Sequence, residues 1–475
     1  MKREALMIVE TLSPLSATGE RQLACRRTNY ACRRTNYACR RTSSPVAGPI
    51  SICYNIPMAK RRHRKRRTAF IFFEVLALVL IVGLGAIFYA VESRKEEEKY
   101  NNRVRITAES LKGTNVSEQA EDHNNIEDID NSRYGYLLRD EELCREQHIY
   151  PMNTISADEV TLLFAGDVGL AEGYANLGTL LNRGGDISEG FDEDTLTVMR
   201  EADIFMVNNE FTYTNRGTPT PGKEYTFRCD PEYVRYLFDM GVDVVSLANN
   251  HTYDYGEISI LDTLDTLESA QMPYVGAGRN ITEAIKPTYF IANDMRIAIV
   301  SATQIERNDN PDTRGATDTS PGTFRCWYND RVCDVIREAK ANSDYVVAYI
   351  HWGTELEVAP DWAQLELAPK LADAGADIII GDHPHILQKL DYIGDTPVIY
   401  SLGNYWFNSK TLDTGLLEVV VDNAGNTKSV RFVPAIQSGC RTNVVYGSEQ
   451  SRILNYMRGL SPKVEINAEG YISKK

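Results

Sequence analysis

Asn250, His251 and Asp254 offer, within one short stretch, a carbonyl oxygen, an imidazole and a carboxylate able to orient that imidazole. The stretch Ser246-Leu247-Ala248-Asn249-Asn250-His251-Thr252-Tyr253-Asp254-Tyr255-Gly256 closes an apolar run and turns into polar side chains only. Alone it also reads as an Asx-rich turn bonded to its own backbone. The event recurs, however. Gly166-Asp167-Val168-Gly169, Asn208-Asn209-Glu210, His351-Trp352-Gly353-Thr354-Glu355, Gly381-Asp382-His383-Pro384-His385 and Ser401-Leu402-Gly403-Asn404 each follow an apolar run. Of the 7 histidines, His251, His351, His383 and His385 lie in these loops. Mixed oxygen and imidazole donors without thiolate suit one or two divalent ions (Mn, Fe or Zn) in a hydrolytic site better than a structural zinc. Pro384 fixes the turn between two imidazoles. A carboxylate shared by two ions would set the separation of a two-metal site and activate water between them.

Positioning such loops takes a regular frame. Short apolar runs at 160–165, 204–207, 242–247, 297–300, 345–350, 378–380 and 398–402 alternate with helical spacing at 231–240, 258–269 and 363–374. Asp230, Pro231 and Gly241 supply a cap, a first turn and a stop. The pattern predicts a layered α/β domain over 154–437, with its ligand crevice outside the carboxyl ends of the strands. A hairpin is expected across 422–426. Residues 438–475 extend the domain through a short helix near 453–457 and a strand at 464–466.

Charge divides the chain of 475 residues and net charge -15. Residues 1–67 are strongly basic and the remainder strongly acidic, which argues against nucleic acid as a partner of the main domain. Residues 24–42 repeat Ala-Cys-Arg-Arg-Thr-Asn-Tyr without an apolar seam, so 1–57 read as a mis-called start, with Met58 the true one, or as a disordered segment. A basic segment at 58–68 precedes an apolar span at 69–91, broken only by Glu74 and long enough to cross a bilayer. The basic side faces the cytoplasm and places the main domain outside the cell. A cleaved signal peptide is the rival, but Phe88-Tyr89-Ala90 is a poor cleavage site. Residues 92–153 are too polar to build a core and read as an extracellular stalk. Five cysteines remain after Met58, an odd number, and no pair has zinc-knuckle spacing.

The ordered set GDVGL, NNE, ANNHTYDYG, HWGTE, GDHPH and YSLGN resembles the CapA family of poly-γ-glutamate capsule proteins over about residues 158–437. That family resembles a divergent branch of the calcineurin-like metallophosphoesterases. The resemblance implies metal ligation by Asp167, a bridging Glu210, Asn250, His351, His383 and His385. It also implies a catalytic role for His251, which contacts substrate or protonates the leaving group, with Asp254 as its orienting carboxylate. Glu355 and Asn404 would support the site from its edge and floor. Two positions depart from the phosphoesterase pattern. Gly169 stands where a second histidine would follow Asp167, and Thr252 stands where a carboxylate would follow His251.

Three functions follow. The first is synthesis, export or anchoring of poly-γ-glutamate or a related capsule polymer, alongside other capsule-synthesis membrane proteins. The second is a cell-surface metal-dependent phosphoesterase, and the third a non-catalytic capsule-assembly scaffold. An acidic domain repels an anionic polymer unless metal or basic groups such as Lys223, Arg228 and Arg325 offset it.

Overall fold

The computed structural model describes residues 132–305 and 313–475. The segments expected at 1–57, 58–68 and 69–91, and the stalk as far as residue 131, lie outside the described residues. Among the described residues no helix is long and apolar enough to cross a membrane.

The strands that frame the site are β1 (Ile149–Pro151), β2 (Glu159–Val168), β3 (Ile204–Asn209), β4 (Val244–Ser246), β5 (Tyr274–Val275), β6 (Thr288–Ala292) and β7 (Met295–Thr303). They continue with β8 (Tyr345–His351), β9 (Ile378–Asp382), β10 (Leu390–Ile393), β11 (Thr396–Ile399), β12 (Asn404–Trp406), β13 (Leu412–Asp422), β14 (Thr427–Ser438) and β15 (Arg441–Val444). One sheet runs β15-β14-β13-β2-β3-β4-β5, with β12 beside the end of β2, and the other runs β1-β6-β7-β8-β9-β11-β10. The central pairs β2–β3, β3–β4, β7–β8 and β8–β9 are parallel.

Alternation along these strands makes the layers. In β2, Val160, Leu162 and Phe164 join one core, while Leu163 and Ala165 join another. In β8, Tyr345, Val347 and Tyr349 enter the core shared with β2, and Val346, Ala348 and Ile350 enter a third. The shared core therefore lies between the two sheets, and each outer face carries its own helices. Glu257–Ala270 covers one sheet, and Asp330–Ala341 and Trp362–Ala374 cover the other. Both faces of a parallel strand are thus apolar, each buried large side chain contributing about 1.5–3 kcal/mol. In β3, β4, β8 and β9 the polar residues sit at the carboxyl ends: Asn208 and Asn209, Ser246, His351 and Asp382.

Local stops match the spacing. Asp230 accepts from the Glu232 amide and Pro231 starts a 3-10 turn that continues as the helix Arg235–Met240. Gly241 closes that helix at φ 83°. The hairpin forms where expected, between β13 and β14. Beyond residue 438, Ile453, Leu454 and Met457 of the helix Gly447–Leu460 enter the core between the sheets. The end of the expected stalk is also folded: β1 pairs with β6, and Ile149 packs with Leu137 and Ile291 in a small core. That packing needs a partner strand more than a hundred residues away, which local polarity does not reveal. Cys144, Cys229, Cys333 and Cys440 are free thiols.

Gly381 shows how tightly the site end is built. A Cβ there would lie 2.1 Å from Trp352 Nε1 and 2.2 Å from the Tyr400 carbonyl, which Trp352 Nε1 meets with a hydrogen bond of 2.9 Å. Gly381→Ala is expected to cost about 3 kcal/mol or more through overpacking. The check is a lower denaturant midpoint at unchanged slope.

Candidate metal centre

Parallel register brings the strand ends together. Asp167 pairs with Asn208 across β2–β3, His351 with Asp382 across β8–β9, and Asn404 with Asp167 across β12–β2. A register shift between Phe164 and Asp167 turns the end of β2 out of plain pleating. His383 and His385 both adopt left-handed backbone, at φ 91° and 60°. Such conformations cost free energy in non-glycine residues and persist where surrounding structure imposes them.

Glu210 lies at the centre. Its Oε1 is 3.7 Å from His351 Nε2, 3.9 Å from His251 Nε2 and 4.0 Å from His385 Nε2. The side chain is fully buried and neither carboxylate oxygen has a hydrogen-bond partner. Burial, followed by the charges of Asp167 and Asp382, pushes its carboxyl well above the usual carboxylate range. Around it, Glu210, His383 and His385 form one set of converging ligand atoms, and Asp167, His351 and Asp382 form another.

The histidines are held in defined orientations. His351 Nδ1 lies 2.8 Å from Asp382 Oδ1, while its Nε2 lies 2.7 Å from Asn250 Oδ1 and 3.0 Å from His383 Nδ1. Burial pushes His351 down to about 3, against the pull of Asp167, so the ring is neutral. With its one proton directed to Asp382, the Nε2 lone pair faces an amide oxygen and a second imidazole. In that tautomer a cation held between these atoms would satisfy all three. His385 Nδ1 sits 2.9 Å from Asp167 Oδ2 and 2.8 Å from Asn404 Oδ1. Burial lowers the His385 value, but Asp167 outweighs it and the net shift is upward. At Asp167 itself burial raises the carboxyl, yet His385 and the other partners leave it below its usual value. Asn208 Nδ2 donates to Asp167 Oδ1 at 2.9 Å, and Asn249 Nδ2 donates to Asn208 Oδ1 at 2.9 Å.

These residues fit a divalent cation. Glu210 with both oxygens unpartnered, Asp382 Oδ2 equally unpartnered, and imidazole and amide acceptors turned inward form a donor set that water-free protein does not satisfy alone. Glu210 Oε1, Asn250 Oδ1 and His383 Nδ1 all lie near His351 Nε2, and Asp167 Oδ2 lies against His385 Nδ1.

His251 occupies the rim. Its Nδ1 is 2.7 Å from Asp254 Oδ2, and burial pushes the ring down to about 4 despite that carboxylate. Asp254 thus stands in for the carboxylate missing at Thr252, whose hydroxyl instead donates to the Leu247 carbonyl at 2.6 Å. Glu355 is exposed and reaches the centre only through its charge. Asn404 is buried against His385, as a floor residue should be.

Two residues escaped the sequence reading. Asp382 orients His351 and contributes to the carboxylate cluster; its place next to His383 was the available signal. Phe407 fills the space beside Gly169, where a Cβ would meet its ring at 2.9 Å, and it packs on His385 with ring centroids 5.1 Å apart. No sequence spacing links 169 to 407. A histidine at 169 therefore needs Phe407 removed. Gly169→His/Phe407→Ala is expected to raise the number of divalent ions retained per chain, whereas Gly169→His alone should lower stability without adding an ion. Elemental analysis of the two purified variants checks this.

Of the basic groups expected to offset a polyanion, Lys223 is committed to Asp254, and Arg228 lies 3.7 Å from Glu172 and over the Tyr255 ring. Arg325 is exposed.

The family model described as bacterial capsule synthesis protein PGA_cap matches residues 161–409. The PGA biosynthesis protein CapA of Bacillus subtilis (strain 168) is 32% identical over 276 residues, covering 56% of this chain and 69% of that protein. The capsule biosynthesis protein CapA of Bacillus anthracis is 27% identical over 329 residues, covering 65% of this chain and 75% of that protein. Among solved structures, the 5'-nucleotidase from Candida albicans SC5314 overlaps at a TM-score of 0.31 and 12% identity, over 56% of this chain and 49% of that one. At that TM-score the overlap carries no argument about fold or reaction.

Proposed function

Because the chain belongs to the bacterial capsule synthesis protein family, we propose that it serves the synthesis, export or anchoring of poly-γ-glutamate or a related anionic capsule polymer through a metal-dependent, metallophosphoesterase-like hydrolytic site. The observation that carries the metal is the buried, unpartnered Glu210 carboxylate among inward-facing imidazoles. The observation that favours chemistry over scaffolding is His251, backed by Asp254 and turned toward Glu210.

When bound, a divalent ion supplies Lewis-acid charge that polarises a phosphoryl or acyl oxygen and activates water. Glu210, Asn250, His351 and His383 would hold it, with Asp167 and His385 available to a second. Asp382 and Asn404 keep the His351 and His385 rings aligned. His251, neutral and with Nδ1 on Asp254, presents its Nε2 to the reacting region and can take a proton there. To act as an acid on a leaving group it must first gain that proton, which an anionic substrate favours.

In this reading the span at 69–91 anchors the chain in the cell membrane, with the N-terminus cytoplasmic and the site outside, near other capsule-synthesis membrane proteins. The test is complementation in a capsule-forming bacterium lacking its own homologous protein. Wild type should restore surface polymer and His383→Ala/His385→Ala should not. Equal restoration by both would overturn the catalytic role and leave the scaffold. Protease added to intact cells should degrade the main domain; full protection would overturn the outward orientation.

A phosphoester substrate is the second reading, favoured by the same His251–Asp254 pair. Phosphoester turnover by the purified chain, absent in Asp167→Ala, separates it from action on the polymer.

A further inference from the structure

We infer that Lys223 is a positioning residue: it fixes Asp254, and through it the proton-bearing face of His251, while pinning the main chain of Asn250. The inference rests on the hydrolytic reading of the site above and goes beyond it by assigning a residue that neither the metal set nor the motif contains.

Lys223 sits in the loop between the short strands Thr212–Tyr213 and Arg228–Cys229. A lysine side chain is costly to remove from water, yet this one is only 6% exposed. Its ammonium lies 2.5 Å from Asp254 Oδ1 and also donates to the Asn250 carbonyl oxygen. Asp254 is shared three ways. Oδ1 takes Lys223, while Oδ2 takes His251 Nδ1 at 2.7 Å and the Phe227 amide at 2.6 Å. With both oxygens filled, the carboxylate cannot rotate without breaking a charge-assisted bond. A carboxylate fixed in this way holds the proton on Nδ1 of the ring and leaves Nε2 directed at the centre.

The rest of the loop acts in the same direction. Thr220 donates its amide to the Asp254 carbonyl at 2.8 Å, and the Phe227 ring lies against His251 with centroids 4.3 Å apart. At Gly217, φ is 81° and a Cβ would lie 2.2 Å from the Tyr255 carbonyl, so the loop can lie directly on the turn. The loop is laid along the turn that carries Asn250, His251 and Asp254, and Lys223 inserts its charge into that turn.

The test uses the full chain with 15N-labelled histidine, whose 7 ring systems are separable by substitution. Wild type should show His251 as a single Nδ1–H tautomer near neutral pH. Lys223→Met should convert the His251 signals to a tautomer mixture while leaving His148 in place. Lys223→Ala with added n-butylammonium should recover the wild-type His251 pattern. Unchanged His251 signals in Lys223→Met would overturn the inference, as would a failure of the amine to restore them in folded Lys223→Ala. If Lys223→Met does not fold, Lys223→Gln removes the charge within a polar side chain and gives the same two outcomes. None of these readings needs turnover. A wild type that hydrolyses nothing would therefore count against the hydrolytic reading alone, and an unmoved His251 against Lys223 alone.

Discussion

Glu210→Gln is expected to strip the site of its metal and, in the same step, to make the metal-free protein more stable. The carboxylate is fully buried, lacks any donor, and stands beside Asp167 and Asp382, which share its sign. Without a cation it is an uncompensated buried charge or a forced proton, and removing that burden should raise stability by about 1–3 kcal/mol. Metal affinity should move the other way. Loss of a residue that only orients a ligand costs about 10–100-fold, so loss of the central oxygen donor should exceed about 100-fold.

The pH dependence has a definite sign. The Glu210 carboxyl is pushed above its ordinary value of 4.5, first by burial and then by Asp167 and Asp382. Its contribution to the stability of the metal-free protein is therefore complete below pH 4.5 and is lost as pH rises through the raised value. Added divalent ion reverses the trend, because binding needs deprotonated ligands. Thermal melts of wild type and Glu210→Gln, with chelator and with Mn or Zn across pH 5–8, check all of this. Wild type should gain stability from metal, and the variant should not respond. A wild type indifferent to every divalent ion would overturn the metal reading.

The second large effect is expected at His251. His251→Ala should lower turnover by about 10²–10⁴-fold, the usual range for a positioned proton-transfer group, with metal content unchanged. His383→Ala, by contrast, should lose metal and turnover together, because its Nδ1 sits 3.0 Å from His351 Nε2 inside the ligand set. Burial holds the His251 ring down to about 4, so in the free enzyme it is unprotonated throughout the neutral range. The free-enzyme profile should thus be flat through pH 6–8 as far as this ring is concerned. Paired elemental analysis and kinetics on both variants distinguish a proton-transfer residue from a ligand. Equal metal loss in the two would place His251 among the ligands instead.

Much of the architecture was legible in the sequence because it follows from local rules. Alternating apolar runs and helical spacing gave the layered α/β order, and Asp230, Pro231 and Gly241 marked the helix boundaries later found at 231–241. Polar clusters after apolar runs marked the strand ends. Parallel pairing then brought Asp167, Glu210, Asn250, His351, His383 and His385 to one place.

What the sequence by itself determined is the donor chemistry: oxygen and imidazole groups at strand ends, with no thiolate among them. What only the tertiary structure decided is how those donors are held. Asp382 turns out to aim His351, Phe407 to fill the space left by Gly169, Lys223 to pair with Asp254, and Ile149 to belong to the sheet. Each depends on a contact between residues far apart in the chain. A side chain's ligand type is a property of one residue, whereas its orientation, its neighbours' charge and its access to water are set by which distant strands and loops pack against it.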